Sequence, residues 1–168
     1  MGKNQSRTFV PTIHTEKMSL NIVLIEPEIP NNTGNIGRLA LATGTNLHLV
    51  KPFGFEITDK RLKRAGLDYW QHISLFTYDN QKEFFKTHQD KKMIFFSSHG
   101  NKAHWDIKFQ DDMFLVFGKE SVGLPKSILE SPEALTAKIP LYSSEIRSLN
   151  LANAVSITVY EALRQLKN

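Results

Sequence analysis

The chain has 168 residues, of which 40% are hydrophobic and 23% charged, as in ordinary folded domains, and no apolar run approaches the roughly 18 residues of a membrane span. It contains no cysteine, which excludes disulfides, cysteine-ligated zinc, iron–sulfur clusters and thiolate chemistry. The net charge of +4 is too small to indicate nucleic-acid binding without a local basic patch. From the lack of cysteine and of a membrane span we expect a cytoplasmic protein with no membrane partner.

The first 17 residues show no periodicity and lack the apolar core of a signal peptide. We expect residues 1–17 to form a flexible tail and residues 18–168 to form one domain. Within that domain, residues 60–64 hold four basic side chains in five positions. This run is either a solvated helix face or a nucleic-acid contact, and the pattern alone favours neither.

From residue 20 onward, short apolar runs typical of buried strands alternate with helical patterns. The predicted strands cover residues 20–25, 47–50, 73–77, 93–96, 112–117 and 137–141. The first predicted helix begins after an N-cap at Asn32 or Thr33. Further helices are predicted at residues 59–67, 80–87 and 150–165. This alternation predicts an α/β domain with a mainly parallel sheet flanked by helices. Ligands in such sheets bind at the carboxyl ends of the strands, so the loops there need inspection.

The first of these loops follows a strand and opens a helix, which is the position of a dinucleotide-binding turn. Its glycines, Gly34 and Gly37, form only G-x-x-G, whereas the dinucleotide fingerprint requires G-x-G-x-x-G. The dinucleotide interpretation is therefore weak, and a rigid turn with a helix cap explains part of the loop.

The second loop has P-loop spacing at Gly118 and Gly123, but Leu124-Pro125 stands where a P-loop requires Lys-Ser/Thr. Without that lysine the NTPase interpretation fails. The glycines instead permit close approach of a ligand or tight packing of another segment. Glu120, just past the strand, is either a solvated turn residue or a functional carboxylate.

The third loop joins the last strand to the C-terminal helix and contains Arg147, Ser148, Asn150 and Asn153. A helix N-cap at Ser148 or Asn150 explains one of these polar residues, but not their clustering. The six histidines form no recognised metal-binding pattern, so we expect no metal site.

Taken together, the three loops resemble the three motifs of the SPOUT (SpoU–TrmD) class of RNA methyltransferases, and most closely its small tRNA wobble-nucleotide 2′-O-methyltransferase group. The resembling segments are EPEIPNNTGNIGRLA (26–40), GFEITDKRLKRAGLDYW (54–70), FLVFGKESVGLP (114–125) and IPLYSSEIRSLNLANAVSITVYEALRQL (139–166). The resemblance implies a C-terminal deep trefoil knot, which periodicity alone would never indicate, and a homodimer packed around the knotted region. The broad apolar surface of the last helix is consistent with that dimer.

The resemblance also implies a cofactor and a set of site residues. S-adenosylmethionine would bind among the knot loops, many of its contacts being to backbone groups of Phe96, Gly118, Ile139, Leu141, Ser148 and Leu149. Arg38 would lie at the ribose 2′-hydroxyl, with Asn32, Glu120 and Asn150 organising it. Stabilisation of a developing alkoxide is the easier role to defend for an arginine, and whether Arg38 also accepts the proton stays open. The RNA would meet Arg61, Lys63 and Arg64, with Arg147 and Tyr160 orienting the nucleotide.

The target implied by the resemblance is the wobble nucleotide, position 34, of leucine tRNAs, a cytidine or a modified uridine in the anticodon loop. Methylation of another tRNA or rRNA ribose remains an alternative, as does a non-catalytic RNA-binding dimer. Two positions depart from the pattern, since Ala152 stands where relatives often have Ser, and Ser121 where the turn often has Gly or Thr.

Overall fold

The computed structural model describes residues 19–56 and 67–167, which form one seven-stranded sheet with every strand pairing parallel. The strands are β1 (Asn21–Ile25), β2 (Asn46–Val50), β3 (Leu75–Tyr78), β4 (Met93–Phe96), β5 (Lys102–Ala103), β6 (Phe114–Phe117) and β7 (Thr136–Lys138). Their order across the sheet is β3-β2-β1-β6-β4-β7-β5. The helices are α1 (Pro30–Thr43), α2 (Gln81–Thr87), α3 (Lys126–Leu129) and α4 (Leu151–Leu166), and 3₁₀ turns cover Leu67–His72 and His104–Asp106.

Successive strand residues belong to two cores on opposite faces of the sheet. In β1, Ile22 and Leu24 pack into the core under α1 and α4, whereas Val23 and Ile25 pack into the core under α2 and α3. Because helices cover both faces, the central strands are continuous apolar runs rather than alternating ones. The predicted α/β architecture with a parallel sheet is confirmed.

A buried histidine lies in the core under α2. The ring of His48 bonds through Nδ1 to the Tyr78 hydroxyl at 2.9 Å and through Nε2 to Asn21 Oδ1 at 3.1 Å. Burial in this apolar layer lowers the pKa of His48 to about 3, with a smaller contribution from the nearby His88. His48 is therefore a neutral structural residue near neutral pH.

Three sequence predictions need correction. Helix α1 begins at Pro30 and its N-cap is Ile29, so neither Asn32 nor Thr33 caps it. Proline suits the first helical position because its φ is already helical and its missing N–H would be unpaired there. The strand predicted at 73–77 lies at Leu75–Tyr78, and the last strand ends at Lys138, which leaves residues 139–141 in a loop.

Part of the prediction falls outside the described residues. The tail at 1–17 lies there, as does the basic helix predicted at 59–67 except for its last residue, Leu67, which begins a 3₁₀ turn. Among the residues that are described, no helix is long and apolar enough to cross a membrane.

Candidate active site

Three neighbouring strands bring half of the predicted cofactor residues to one edge of the sheet. Phe96 ends β4, Gly118 directly follows β6 and Ile139 directly follows β7, and these strands are adjacent in the order β6-β4-β7. Because the strands are parallel, their carboxyl ends meet at one edge. The other three residues, Leu141, Ser148 and Leu149, lie in the loop from β7 to α4.

Gly118 is needed for the loop after β6 to fold on itself. A Cβ at Gly118 would lie 2.1 Å from the carbonyl carbon of Gly123 and 2.2 Å from the nitrogen of Leu124, so no side chain fits there. Gly123 has a φ of +73°, which favours glycine. Of the two explanations that the sequence allowed for Gly118, the structure therefore supports tight packing of another segment.

Glu120, Asn32 and Asn150 form one hydrogen-bonded cluster at the same edge. Asn32 Nδ2 donates to Glu120 Oε1 at 3.0 Å, and Asn150 Nδ2 donates to Asn32 Oδ1 at 3.0 Å. Glu120 also accepts from the backbone N–H groups of Glu28 at 2.8 Å and Ile29 at 3.2 Å. The structure thus joins three of the four predicted catalytic residues, which come from the first turn of α1, the loop after β6 and the end of the loop before α4.

Asn150 connects this cluster to the last helix. Its Oδ1 accepts from the backbone N–H of Ala152 at 2.9 Å and of Asn153 at 3.4 Å, so it is the N-cap of α4. Asn150 is one of the two caps that the sequence allowed, and it also fixes the amide of Asn32. The cluster consequently holds an ionisable carboxylate at the start of α1 and connects it to the start of α4 through Asn32.

Arg38 lies outside the cluster, further along α1. Its side chain is exposed, and its guanidinium carbon lies 5.2 Å from the centre of the Tyr69 ring, a cation–π contact. The Tyr69 hydroxyl donates to the carbonyl of Gly34 at 3.1 Å, and a Cβ at Gly37 would lie 2.5 Å from the Trp70 ring. Gly37 thus leaves room for the 67–72 turn to pack on α1, beside Arg38.

Comparison with known proteins shows which family shares these features. Residues 19–160 match the SpoU rRNA methylase family. The chain belongs to this family. The SpoU assignment agrees with the resemblance drawn from the three loops, and the structural core from β1 to most of α4 falls within the match.

Individual SpoU relatives are similar over almost their whole length. The chain is 46% identical over 148 residues to the tRNA (cytidine(34)-2′-O)-methyltransferase of Escherichia coli K12, covering 88% of this chain and 94% of the relative. It is 48% identical over 147 residues to the enzyme of the same name from Saccharophagus degradans, covering 87% and 95%. A solved structure concerned with the 2-OH methylation of C/U34 on tRNA superposes with a TM-score of 0.86 at 42% identity, covering 90% of this chain and 99% of that one.

The loop from β7 to α4 is exposed and offers unpaired backbone donors. Residues 142–148 are all exposed, whereas Leu141 and Leu149 at its two ends are half-buried. Among the hydrogen bonds of the described residues, none uses the backbone N–H of Leu141, Ser148 or Leu149. These free donors fit a ligand such as S-adenosylmethionine, whose carboxylate and adenine accept hydrogen bonds.

The structure describes two of the five predicted RNA-facing residues. Arg147 is exposed in the loop before α4, and Tyr160 is 58% exposed on α4 itself. Arg61, Lys63 and Arg64 lie outside the described residues.

Sequence reasoning missed Glu28, because a single acidic residue in a loop is also typical of ordinary solvent-exposed turns.

Proposed function

We propose that this chain transfers the methyl group of S-adenosylmethionine to the ribose 2′-hydroxyl of the wobble nucleotide, position 34, of leucine tRNAs, a cytidine or a modified uridine. The observation that carries the proposal is the Glu120–Asn32–Asn150 cluster, in which Asn150 directly follows the unpaired backbone donors of Ser148 and Leu149. The similarity to two cytidine(34) enzymes over nearly their full length supports the target.

S-adenosylmethionine, when bound, supplies a methyl group already activated by its sulfonium. The chain therefore has to hold the donor, align the hydroxyl and stabilise the charge that develops as the hydroxyl loses its proton. Phe96, which stacks on Phe117 with ring centres 4.8 Å apart, and Gly118 form the base of the donor site. Leu141, Ser148 and Leu149 bind the donor through backbone N–H groups, and Ile139 lines the site between them.

Arg38 stabilises the developing negative charge on the 2′-oxygen. Its exposed guanidinium is available to a substrate, and the cation–π contact with the Tyr69 ring restricts the conformations of the side chain. Glu120, Asn32 and Asn150 fix the orientation of the groups around the hydroxyl. Glu120 already accepts three protein hydrogen bonds, so its role in the proposal is to organise the site rather than to remove the proton.

The proposal includes a homodimer. Helices α1 and α4 pack against each other and together expose Leu41 (39%), Ile157 (40%) and Tyr160 (58%). A second copy would bury this apolar face, which is the partner surface that the sequence of the last helix requires. Tyr160 would then lie close to the interface, near the nucleotide that we assign to it.

The proposal also includes the C-terminal knot. Strand β7 pairs with both β4 and β5, although it follows both in the chain. The segment 97–101 joins β4 to β5, and a Cβ at Gly100 in that segment would lie 2.2 Å from the carbonyl carbon of Ala137. Strand β7 is therefore inserted between β4 and β5, which the short segment 97–101 already joins. This arrangement supports threading of the chain through that segment.

The tRNA would be bound through its anticodon loop. Arg61, Lys63 and Arg64 contact phosphates, which position the RNA without reading its sequence, and Arg147 orients the target nucleotide. Residues 18–168 form the methyltransferase domain, and residues 1–17 lie outside it. Because tRNA is the substrate, the protein acts in the cytoplasm.

The test is transfer of labelled methyl from S-adenosylmethionine to bulk tRNA from a strain lacking this protein, followed by nucleoside mapping. We expect label on the 2′-O-methylated wobble nucleotide. Label on another ribose would keep the reaction and reject the target, and no label would favour a non-catalytic RNA-binding dimer. Arg38→Ala should lower kcat by about 10²–10³-fold with folding and dimerisation unchanged. Arg164→Ala, an exposed arginine in the last turn of α4, is the matched control.

A further inference from the structure

A second carboxylate, Glu28, ties the loop after β1 to the loop after β6. Glu28 Oε2 accepts the backbone N–H of Ser121 at 2.9 Å, and Oε1 accepts the Ser121 hydroxyl at 3.0 Å. In the opposite direction, Glu120 accepts the backbone N–H groups of Glu28 and Ile29. We call these four hydrogen bonds, made by Glu28, Ile29, Glu120 and Ser121, the clasp.

The clasp joins the two halves of the proposed site. Strands β1 and β6 are parallel neighbours, with Leu24 paired to Phe117 near their carboxyl ends, so the two loops leave the sheet side by side. The first loop leads into α1, which contains Asn32 and Arg38, and the second begins at Gly118. A shift of one loop against the other would therefore move the hydroxyl-binding groups relative to the methyl donor.

We infer that Glu28 is a positioning residue for methyl transfer, which holds the 118–123 loop, and with it Glu120, against the first turn of α1 through its two bonds to Ser121. This inference rests on the proposed function. The two bonds from Ser121 also hold the pKa of the Glu28 carboxyl below its usual value, so the clasp is formed with a charged acceptor near neutral pH.

Loss of the Glu28 side chain would loosen the clasp without removing it. Both bonds from Glu28 and Ile29 to Glu120 come from backbone N–H groups and would remain. Ser121 would lose both of its partners. Since displacement of reacting groups by about 1 Å can cost about 10²-fold in rate, we expect a partial loss of about tenfold in kcat.

The experiment compares steady-state kinetics of Glu28→Ala, Glu28→Gln, Ser121→Ala and the Glu28→Ala/Ser121→Ala double variant on tRNA. Glu28→Ala should lower kcat about tenfold and leave KM for tRNA and the thermal midpoint almost unchanged. Glu28→Gln should restore activity, because its amide oxygen can accept the Ser121 N–H and its NH₂ can donate to the Ser121 hydroxyl. The double variant should be no worse than Glu28→Ala alone, because both changes break the same contact.

Glu130→Ala is the matched control, because Glu130 is an exposed carboxylate at the end of α3 and makes no side-chain bond among the described contacts. An active wild type with an unchanged Glu28→Ala would overturn this inference alone. Equal losses in Glu28→Ala and Glu28→Gln would also overturn it, since charge rather than position would then matter. A wild type that does not methylate tRNA would overturn the proposed function as well. If Glu28→Ala fails to fold, Ser121→Ala, which removes the hydroxyl bond and keeps the N–H bond to Glu28, should lose part of the activity, and full activity would count against the inference.

Discussion

The Asn32→Asp substitution would test the cluster at its most sensitive contact. Asn32 is only 5% exposed, and its Nδ2 is the donor to Glu120 Oε1 at 3.0 Å. Aspartate has almost the same shape but no N–H, so the substitution would replace a charge-assisted hydrogen bond with two carboxylates in contact. A hydrogen bond between the two carboxyl groups could survive only if one of them retained a proton.

The expected cost follows from that distance. Two unit charges about 3 Å apart repel by about 5 kcal/mol at an effective dielectric constant of about 20. The pair can avoid part of this repulsion by holding one proton, which raises the pKa of the pair in the folded state above the values near 4 of the unfolded chain. We therefore expect the free energy of unfolding to fall by about 3–5 kcal/mol at pH 8.

The sign of the pH dependence distinguishes this mechanism from simple loss of packing. The folded variant binds a proton that the unfolded chain has released, so the deficit should be smallest near pH 4–5 and grow by up to about 1.4 kcal/mol per pH unit as pH rises. Urea unfolding of wild type, Asn32→Asp and the control Asn153→Asp at pH 5.5 and pH 8 measures it. Asn153 is exposed in the first turn of α4. An equal deficit at both pH values would refute the reasoning.

Three further perturbations test other parts of the molecule. Gly118→Ala should cost roughly 1–3 kcal/mol in unfolding experiments and weaken S-adenosylmethionine binding in calorimetry, because the new Cβ overlaps the Gly123 backbone; unchanged values would contradict the packing. Because the pKa of His48 is lowered to about 3, the wild type should lose up to about 1.4 kcal/mol per pH unit below pH 6.5, and His48→Gln should lose less over the same range in urea unfolding. If the free energy of unfolding fell equally with pH in both proteins, His48 would not be the source of the acid destabilisation. Lys63→Ala and Arg64→Ala should weaken tRNA binding and flatten its salt dependence, and an unchanged slope would remove them from the interface.

The strands that could be predicted are those that are buried on both faces. Residues 93–96 were predicted with the observed bounds, because Ile94 and Phe96 pack into one core while Met93 and Phe95 pack against the other. Strand β5 has two residues and α3 has four, which is too short for any period to appear. The position of β7 between β4 and β5, two strands that precede it in the chain, is a long-range arrangement that no local pattern records.

In the candidate site, too, contacts between residues close in sequence could be predicted, and contacts between distant residues could not. Local chemistry was enough to place Asn150 as a possible cap, since its partners are two and three residues away. It assigned Asn32 the wrong local role, because the partners of that side chain, Glu120 and Asn150, are 88 and 118 residues distant. Glu28 was missed for the same reason, its partner Ser121 being 93 residues away.

The start of α4 determines the direction of every hydrogen bond in the Glu120–Asn32–Asn150 cluster. The first N–H groups of a helix need an acceptor, so Asn150 must direct its oxygen toward them, which leaves its NH₂ to face Asn32. Asn32 then has to accept with its own oxygen and direct its NH₂ outward, so position 120 must supply an acceptor. A glutamate there can take this donor and two backbone N–H groups together, because its carboxylate offers about four acceptor positions. An acceptor at position 120 is therefore fixed by a helix that begins about thirty residues later, which is why the second and third loops have to be considered as one site.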